Sequence, residues 1–184
     1  MCLSLPNAQQ HKFYALDVSD HVALNAAAED FISVAGKVNI VIANAGISVG
    51  TLTEFSADVP VFARVMEVNV LATVATFAPF ISNMKQHAAH ESCRLVGIAS
   101  VAGIRGLPGA EAYSASKAAV ISYCESLRVE LKASGIRVVT IVPGYIDTPM
   151  TQVNSYPMPF LMSPEKFATI AAHAITAGSS YKVI

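Results

Sequence analysis

Tryptophan is absent from this 184-residue chain, and cysteine occurs only three times, at Cys2, Cys93 and Cys124. An odd count with no CxxC spacing excludes a disulfide framework and predicts a reducing, cytoplasmic setting. Charge is scarce as well. Charged residues make up 14% of the chain, against about 25% in an ordinary soluble domain, while the 53% hydrophobic content excludes disorder. Twelve Lys and Arg against 13 Asp and Glu leave a net charge of −1, without the cationic excess that nucleic-acid phosphates would require. No uninterrupted apolar run approaches about 18 residues, and Met1–Pro6 has neither a basic start nor a long apolar stretch. Neither a signal peptide nor a membrane span is therefore expected. The low charge predicts that some apolar surface is covered by another subunit, as in an oligomer.

What is present is an alternation of short apolar runs with longer helical ones. Phe13–Leu16 reads as a strand ending at Asp17, with Ser19 or Asp20 capping a helix to about Ala35 and Gly36 stopping it. Asn39–Ala43, Arg94–Ala99 and Arg137–Val142 read as continuous apolar strands of the kind buried on both faces. Between them lie a helix over about 58–87 that Pro79 interrupts, and another from about Ala112 to Ala133 closed by Gly135. Ser163-Pro164-Glu165 starts a helix to about Ala177, and Tyr181–Ile184 begins a strand. Strict alternation of strand and helix predicts one domain over residues 1–184 with a Rossmann-like, doubly wound parallel α/β sheet in three layers. Ligands in such sheets sit beyond the carboxyl ends of the strands.

Chemistry concentrates at that edge. Tyr113 and Lys117 are four apart in a helix, which stacks a phenol and an ammonium on one face. A lysine cation and the positive end of a helix dipole both favour the phenolate, predicting a lowered tyrosine pKa and a usable general acid/base. Ser100, thirteen positions earlier at the end of a strand, can hold a substrate oxygen against the tyrosine. Random placement gives a Tyr-x3-Lys pair roughly 0.2 times in such a chain, and the triple with serine roughly 0.02 times. His87 and His90 lie three apart near one helix face but match no metal-binding spacing, so this helix end reads as a solvated terminus and no metal site is expected. The helix of Tyr113 is apolar on more than one side, which suits packing on its own sheet and on a partner.

Ser100, Tyr113-Ser114-Ala115-Ser116-Lys117, Ala43-Asn44-Ala45-Gly46 after a strand, Asn69 in the long helix and Pro143-Gly144-Tyr145-Ile146-Asp147-Thr148 together resemble the classical short-chain dehydrogenase/reductases, including the 31 residues from Asn69 to Ser100. The resemblance implies an NAD(P)-dependent oxidoreductase interconverting an alcohol and a ketone or aldehyde, with NAD or NADP as cofactor. It implies that Tyr113 exchanges the substrate proton, Ser100 polarises the substrate oxygen, and Lys117 bonds the nicotinamide ribose. Asn69 would position a relay water. Asp17 and Val18 would meet the adenine, and Asn44, Ala45 and Gly46 would line the adenosine ribose. Ile146 and Thr148, after the Pro143-Gly144 strand stop, would hold the carboxamide. The segment from Tyr145 to Met162 resembles a substrate lid whose apolar content points to an apolar alcohol or carbonyl compound. Relatives pair through the Tyr113 helix and the one before it, which implies a homodimer or homotetramer.

The resemblance breaks at the start. The family's glycine-rich TGxxxGxG turn is missing, and Gly46/Gly50 and Gly103/Gly106/Gly109 have the wrong spacings for it. The chain reads as incomplete at its N-terminus, without the first two strands, and as ending inside the last. In the order 3-2-1-4-5-6, Phe13–Leu16 then has no strand to pair with, and Asn39–Ala43 lacks one neighbour. Either the chain is part of a longer product, or another subunit or a rearrangement supplies the layer. A non-catalytic subunit or fragment is the alternative function, and non-redox chemistry on the same tyrosine a third.

Overall fold

The computed structural model describes residues 7, 11–154 and 156–184; the readings on Met1–Pro6 and Cys2 lie outside them. The first helix, α1 (His21–Ala35), starts where Asp20 accepts the amide hydrogen of Ala23 at 3.0 Å and stops at Gly36. Strand β1 (Ile40–Ala43) leads to α2 (Val59–Met66), a π-helical turn over Glu67–Leu71, and α3 (Ala72–Lys85). Strand β2 (Arg94–Ile98) then precedes α4 (Glu111–Glu130) and β3 (Arg137–Val142). Short α5 (Pro149–Gln152), α6 (Pro164–Ala177) and β4 (Tyr181–Val183) complete the described elements. The four strands form one wholly parallel sheet in the order β1-β2-β3-β4, with Arg94 opposite Arg137 and Ile98 opposite Ile141.

Alternation along β2 and β3 sends side chains into two cores. On one face Leu95, Val138 and Val142 pack with Phe77 and Met84 of α3 and Val120, Cys124 and Leu127 of α4. On the other, Val96, Val139 and Ile141 meet Ala171, Ala174 and Ile175 of α6. These are the three layers predicted from the alternation of elements.

Several expectations need correction. Phe13–Leu16 is not a strand: it is irregular, and Lys12 and Tyr14 bond the Asp30 carboxylate on α1 instead of a ladder neighbour. An extended segment without an adjacent strand has no ladder to satisfy its backbone. Strand β1 is not buried on both faces. Val41 and Ala43 are inside, whereas Ile40 and Ile42 are 41% and 48% exposed beside a groove of about 380 Å3. Pro79 lies inside α3 without interrupting it. Proline costs about 3 kcal/mol in a helix interior, and the fully buried Phe77 and Met84 on either side hold the helix to the core. The irregularity falls at the π turn instead. Finally, His87 is buried rather than solvated, and its Nε2 has no hydrogen-bond partner, whereas His90 is exposed.

By length and composition the run 56–85 could cross a membrane. In this fold its Val65, Val68, Phe77 and Met84 are buried, with α2 against α4 and α3 against α1 and β1.

Candidate active site

At the carboxyl end of β2 the chain turns through Ser100, an extended residue that opens a 3-10 turn over Val101–Gly103. Its Oγ accepts from the amide of Ala102 at 3.2 Å, which fixes the side-chain rotamer. That turn lies directly on α4: a Cβ on Gly103 would come within 2.6 Å of the Lys117 backbone, closer than any side chain tolerates. Ser100 and the start of α4 are thereby brought together, with Tyr113 in the first turn and Lys117 one turn on.

Lys117 is buried, and its Nζ donates to the Ile98 carbonyl at 2.8 Å while lying 5.7 Å from the centre of the Tyr113 ring. Burial lowers its pKa to about 8. Tyr113 moves the other way: burial raises it above the ordinary value of 10, the Ser100 hydroxyl beside it pulls it down, and the Tyr156 phenol pushes it up. The lowering of Tyr113 expected from the lysine is thus not what the structure shows. The reason is that desolvation acts on both groups, disfavouring the phenolate and the ammonium alike.

Asn69 sits in the π turn and is 1% exposed. Its side-chain amide pairs with both backbone groups of Ile47, accepting from the amide at 2.8 Å and donating to the carbonyl at 2.9 Å. It also donates to Ser116 Oγ at 2.9 Å, and Ser116 donates to the Tyr113 carbonyl at 2.7 Å. Both amide hydrogens and one lone pair of the oxygen are therefore used in tying the loop after β1 to the Tyr113 turn. The loop also passes close at Gly46, where a Cβ would lie 3.1 Å from Asn69 Oδ1 and 3.4 Å from Lys117 Nζ.

Two neighbouring clefts share Tyr113. The larger, about 450 Å3, is lined by Asn44, Ala45, Gly46, Lys117, Pro143, Gly144, Ile146 and Thr148, so most of the residues singled out in the sequence meet there. The smaller, about 80 Å3, holds Ser100 with Ser48, Leu107, Tyr145, Asn154 and Tyr156. Rings of Tyr145 and Tyr156 meet edge-on at 6.2 Å. The lid segment is tied at its base, where Met162 donates to Tyr145 and Asp147 to Met162, and its Phe160 is 94% exposed. Asp17 and Val18 line neither cleft. The Asp17 carboxylate accepts from Ser19 and Arg64, which brings its pKa down to about 2.

No role was read from the sequence for Ser48, nor for Ser116 beyond its place in the run from Tyr113 to Lys117. Ser116 had a readable signal, because a serine three residues after Tyr113 in a helix can bond back to its carbonyl. Ser48 had none beyond its place in the loop after a strand.

A family model described as short chain dehydrogenase matches residues 3–157. Over 136 residues the chain is 39% identical to a 2-dehydro-3-deoxy-L-rhamnonate dehydrogenase (NAD(+)) of a Sphingomonas species, covering 74% of this chain and 53% of that protein. Over 146 residues it is 36% identical to an uncharacterized oxidoreductase of Myxococcus xanthus, covering 79% and 56%. The chain thus spans about half the length of these curated relatives. Among solved structures, a 3-ketoacyl-(acyl-carrier-protein) reductase from Brucella melitensis complexed with NADH superposes with TM-score 0.81 at 30% identity, over 92% of this chain and 73% of that one. ElxO with NADP bound reaches 0.84 at 24% identity, covering 96% and 77%, and attests the fold alone. The family model covers most of the chain and these proteins share its sequence and fold: the chain belongs to the short-chain dehydrogenase family.

Proposed function

We propose that this chain serves an NAD- or NADP-dependent interconversion of an alcohol and a ketone or aldehyde, with Tyr113 as proton donor or acceptor. One observation carries the reading: Tyr113 forms part of the wall between two clefts, Lys117 lining one and Ser100 the other. A residue so placed can face a cofactor on one side and a substrate on the other. Ser100 orients the substrate oxygen and steadies its developing charge. Lys117 has one protein acceptor in Ile98 and two further hydrogens available for ribose hydroxyls. Asn44, Ala45, Gly46, Pro143, Gly144, Ile146 and Thr148 complete the larger cleft.

The residues fit the nicotinamide–ribose end of the cofactor. Gly46 supports this, because its missing side chain leaves the loop pressed onto Asn69 and Lys117. When bound, the nicotinamide supplies the hydride, and the protein supplies orientation and the proton. Asn69 holds the loop and the Tyr113 turn in register, and with both of its amide hydrogens in use it has no side-chain donor left for a relay water. Tyr145, Tyr156 and Leu107 favour a small apolar substrate. Membership of a family whose members commonly form oligomers supports a homodimer or homotetramer. The free thiols Cys93 and Cys124, both buried, are in keeping with a reducing cytoplasmic setting.

Nicotinamide fluorescence tests this directly. Saturable binding of NADH or NADPH to the purified chain, followed by turnover of a small ketone, is the expected result. A folded chain that binds neither would overturn the reading for this chain.

A further inference from the structure

Helix α4 has an unusual beginning. The residue before it is Ala110, whose methyl group cannot accept a hydrogen bond, so the helix has no cap of its own. The first amide hydrogens of a helix have no partner within it, and a side-chain oxygen normally takes the second or third. At α4 the second belongs to Ala112, which is fully buried and out of reach of solvent. Its amide points at Thr51 Oγ1, 3.4 Å away and 61 residues distant in sequence.

Thr51 is itself buried, at 4% exposure, and both capacities of its hydroxyl are used. The oxygen accepts from Ala112, and the hydrogen is donated to the Glu111 carboxylate at 3.1 Å. Its backbone adds a second tie, an amide donated to the Gly109 carbonyl at 3.2 Å within an isolated parallel bridge to Ala110. The loop after β1 is therefore clamped twice, by Asn69 at Ile47 and by Thr51 at the head of α4. Tyr113 is the next residue after Ala112.

Building on the reading of Tyr113 as the proton-transferring group, we propose that Thr51 is a positioning residue. Its hydroxyl caps α4 from a separate loop and so sets Tyr113 against Ser100 and against the loop that lines the larger cleft. Thr51 touches neither cleft-facing atom of Tyr113 nor Lys117, and its effect passes through the helix start. A helix whose cap lies 60 residues away is also a device for coupling: displacement of the Gly46–Thr51 loop is transmitted to the proton-transferring group.

The test uses the full chain as wild type, Thr51→Val and Thr51→Ser. Hydrogen exchange of the 109–117 segment is read first, needing no substrate. Thr51→Val should accelerate exchange in the first turn of α4 about tenfold while β2 and β3 keep wild-type protection, and Thr51→Ser should restore it. Turnover of butan-2-one or cyclohexanone with NADH or NADPH is read second. There kcat should fall about tenfold in Thr51→Val with both KM values within twofold, and return in Thr51→Ser. Wild-type exchange in Thr51→Val, or a serine variant that behaves like valine, overturns the proposal. So does a loss expressed in KM alone. If Thr51→Val does not fold, Thr51→Ala is read against Thr51→Ser in the same way. Failure of the proposed function has a different signature, since the wild-type chain would then turn over neither ketone while the exchange arm still decides whether Thr51 is the cap.

Discussion

The two sides of the sheet are built to different standards. Along β2 and β3 nearly every side chain is buried, because α3 and α4 cover one face and α6 the other. At β1 only alternate residues are buried, and Ile40 and Ile42 face a groove with Leu16, Leu24 and Phe31. The residues of the candidate site divide along the same line. Ser100 follows β2 and Lys117 reaches from α4 to the β2 carbonyl of Ile98, and both are buried, whereas Asp17 lies before α1 with its exposed carboxylate bonded to Ser19 and Arg64. Precise placement of reacting groups needs supports that cannot move, and the doubly covered strands provide them.

The sharpest way to probe this contrast is at the reacting group itself. Tyr113→Phe should reduce turnover by at least about a hundredfold while leaving nicotinamide binding intact, because the hydroxyl that gives or takes the proton is removed and the ring is kept. Turnover retained at more than about a tenth would contradict the role. Next in size is the difference between the two sides in stability. Leu95→Ala should cost about 2–5 kcal/mol in a denaturant titration, since Leu95 is fully buried between α3 and α4. Ile42→Ala should cost less than about 1 kcal/mol, since half of that side chain already meets solvent. Equal losses would mean that the groove beside β1 is covered in solution.

A third contrast lies in pH dependence. Lys117 titrates near 8 in the fold and at its ordinary 10.5 when unfolded, so between those values the unfolded chain binds more protons. Stability should therefore rise with pH from about 8 upward, and Lys117→Met should flatten that rise. The comparison is best read between about pH 8 and 9. Above that the Cys93 and Cys124 thiols, raised by burial from their ordinary 9.0, and then Tyr113 and Tyr123, also raised by burial, act in the opposite sense, because their unfolded forms ionise first.

How much of this was legible in the sequence follows from what each feature depends on. The strands after Asn39, Arg94 and Arg137 and the helix limits at Asp20, Gly36 and Ser163 were readable because run length and capping chemistry are local. The meeting of Ser100, Tyr113 and Lys117 was readable because their spacing places them at one edge of the sheet. Phe13–Leu16 was legible in part: its run length read as a strand, the strand order already gave it nothing to pair with, and without a ladder it is irregular. The direction of the Tyr113 shift was misread, since burial outweighed the nearby cation. Thr51 gave no signal, because its partners Glu111 and Ala112 lie about 60 residues away.

The π turn at Glu67–Leu71 has a consequence for insertions and deletions. A wider turn accommodates roughly one residue more than the α-helical repeat, so the run after it is rotated by about 100° relative to an uninterrupted helix. That phase change lets α2 face α4 while α3 faces α1 and β1. Removing a single residue from 67–71 would restore an ordinary helix and improve its hydrogen bonding, yet it would turn Phe77 and Met84 out of the core or carry Asn69 away from Ile47. In this segment the count of residues is as constrained as their identity, and a more regular helix would be the less functional one.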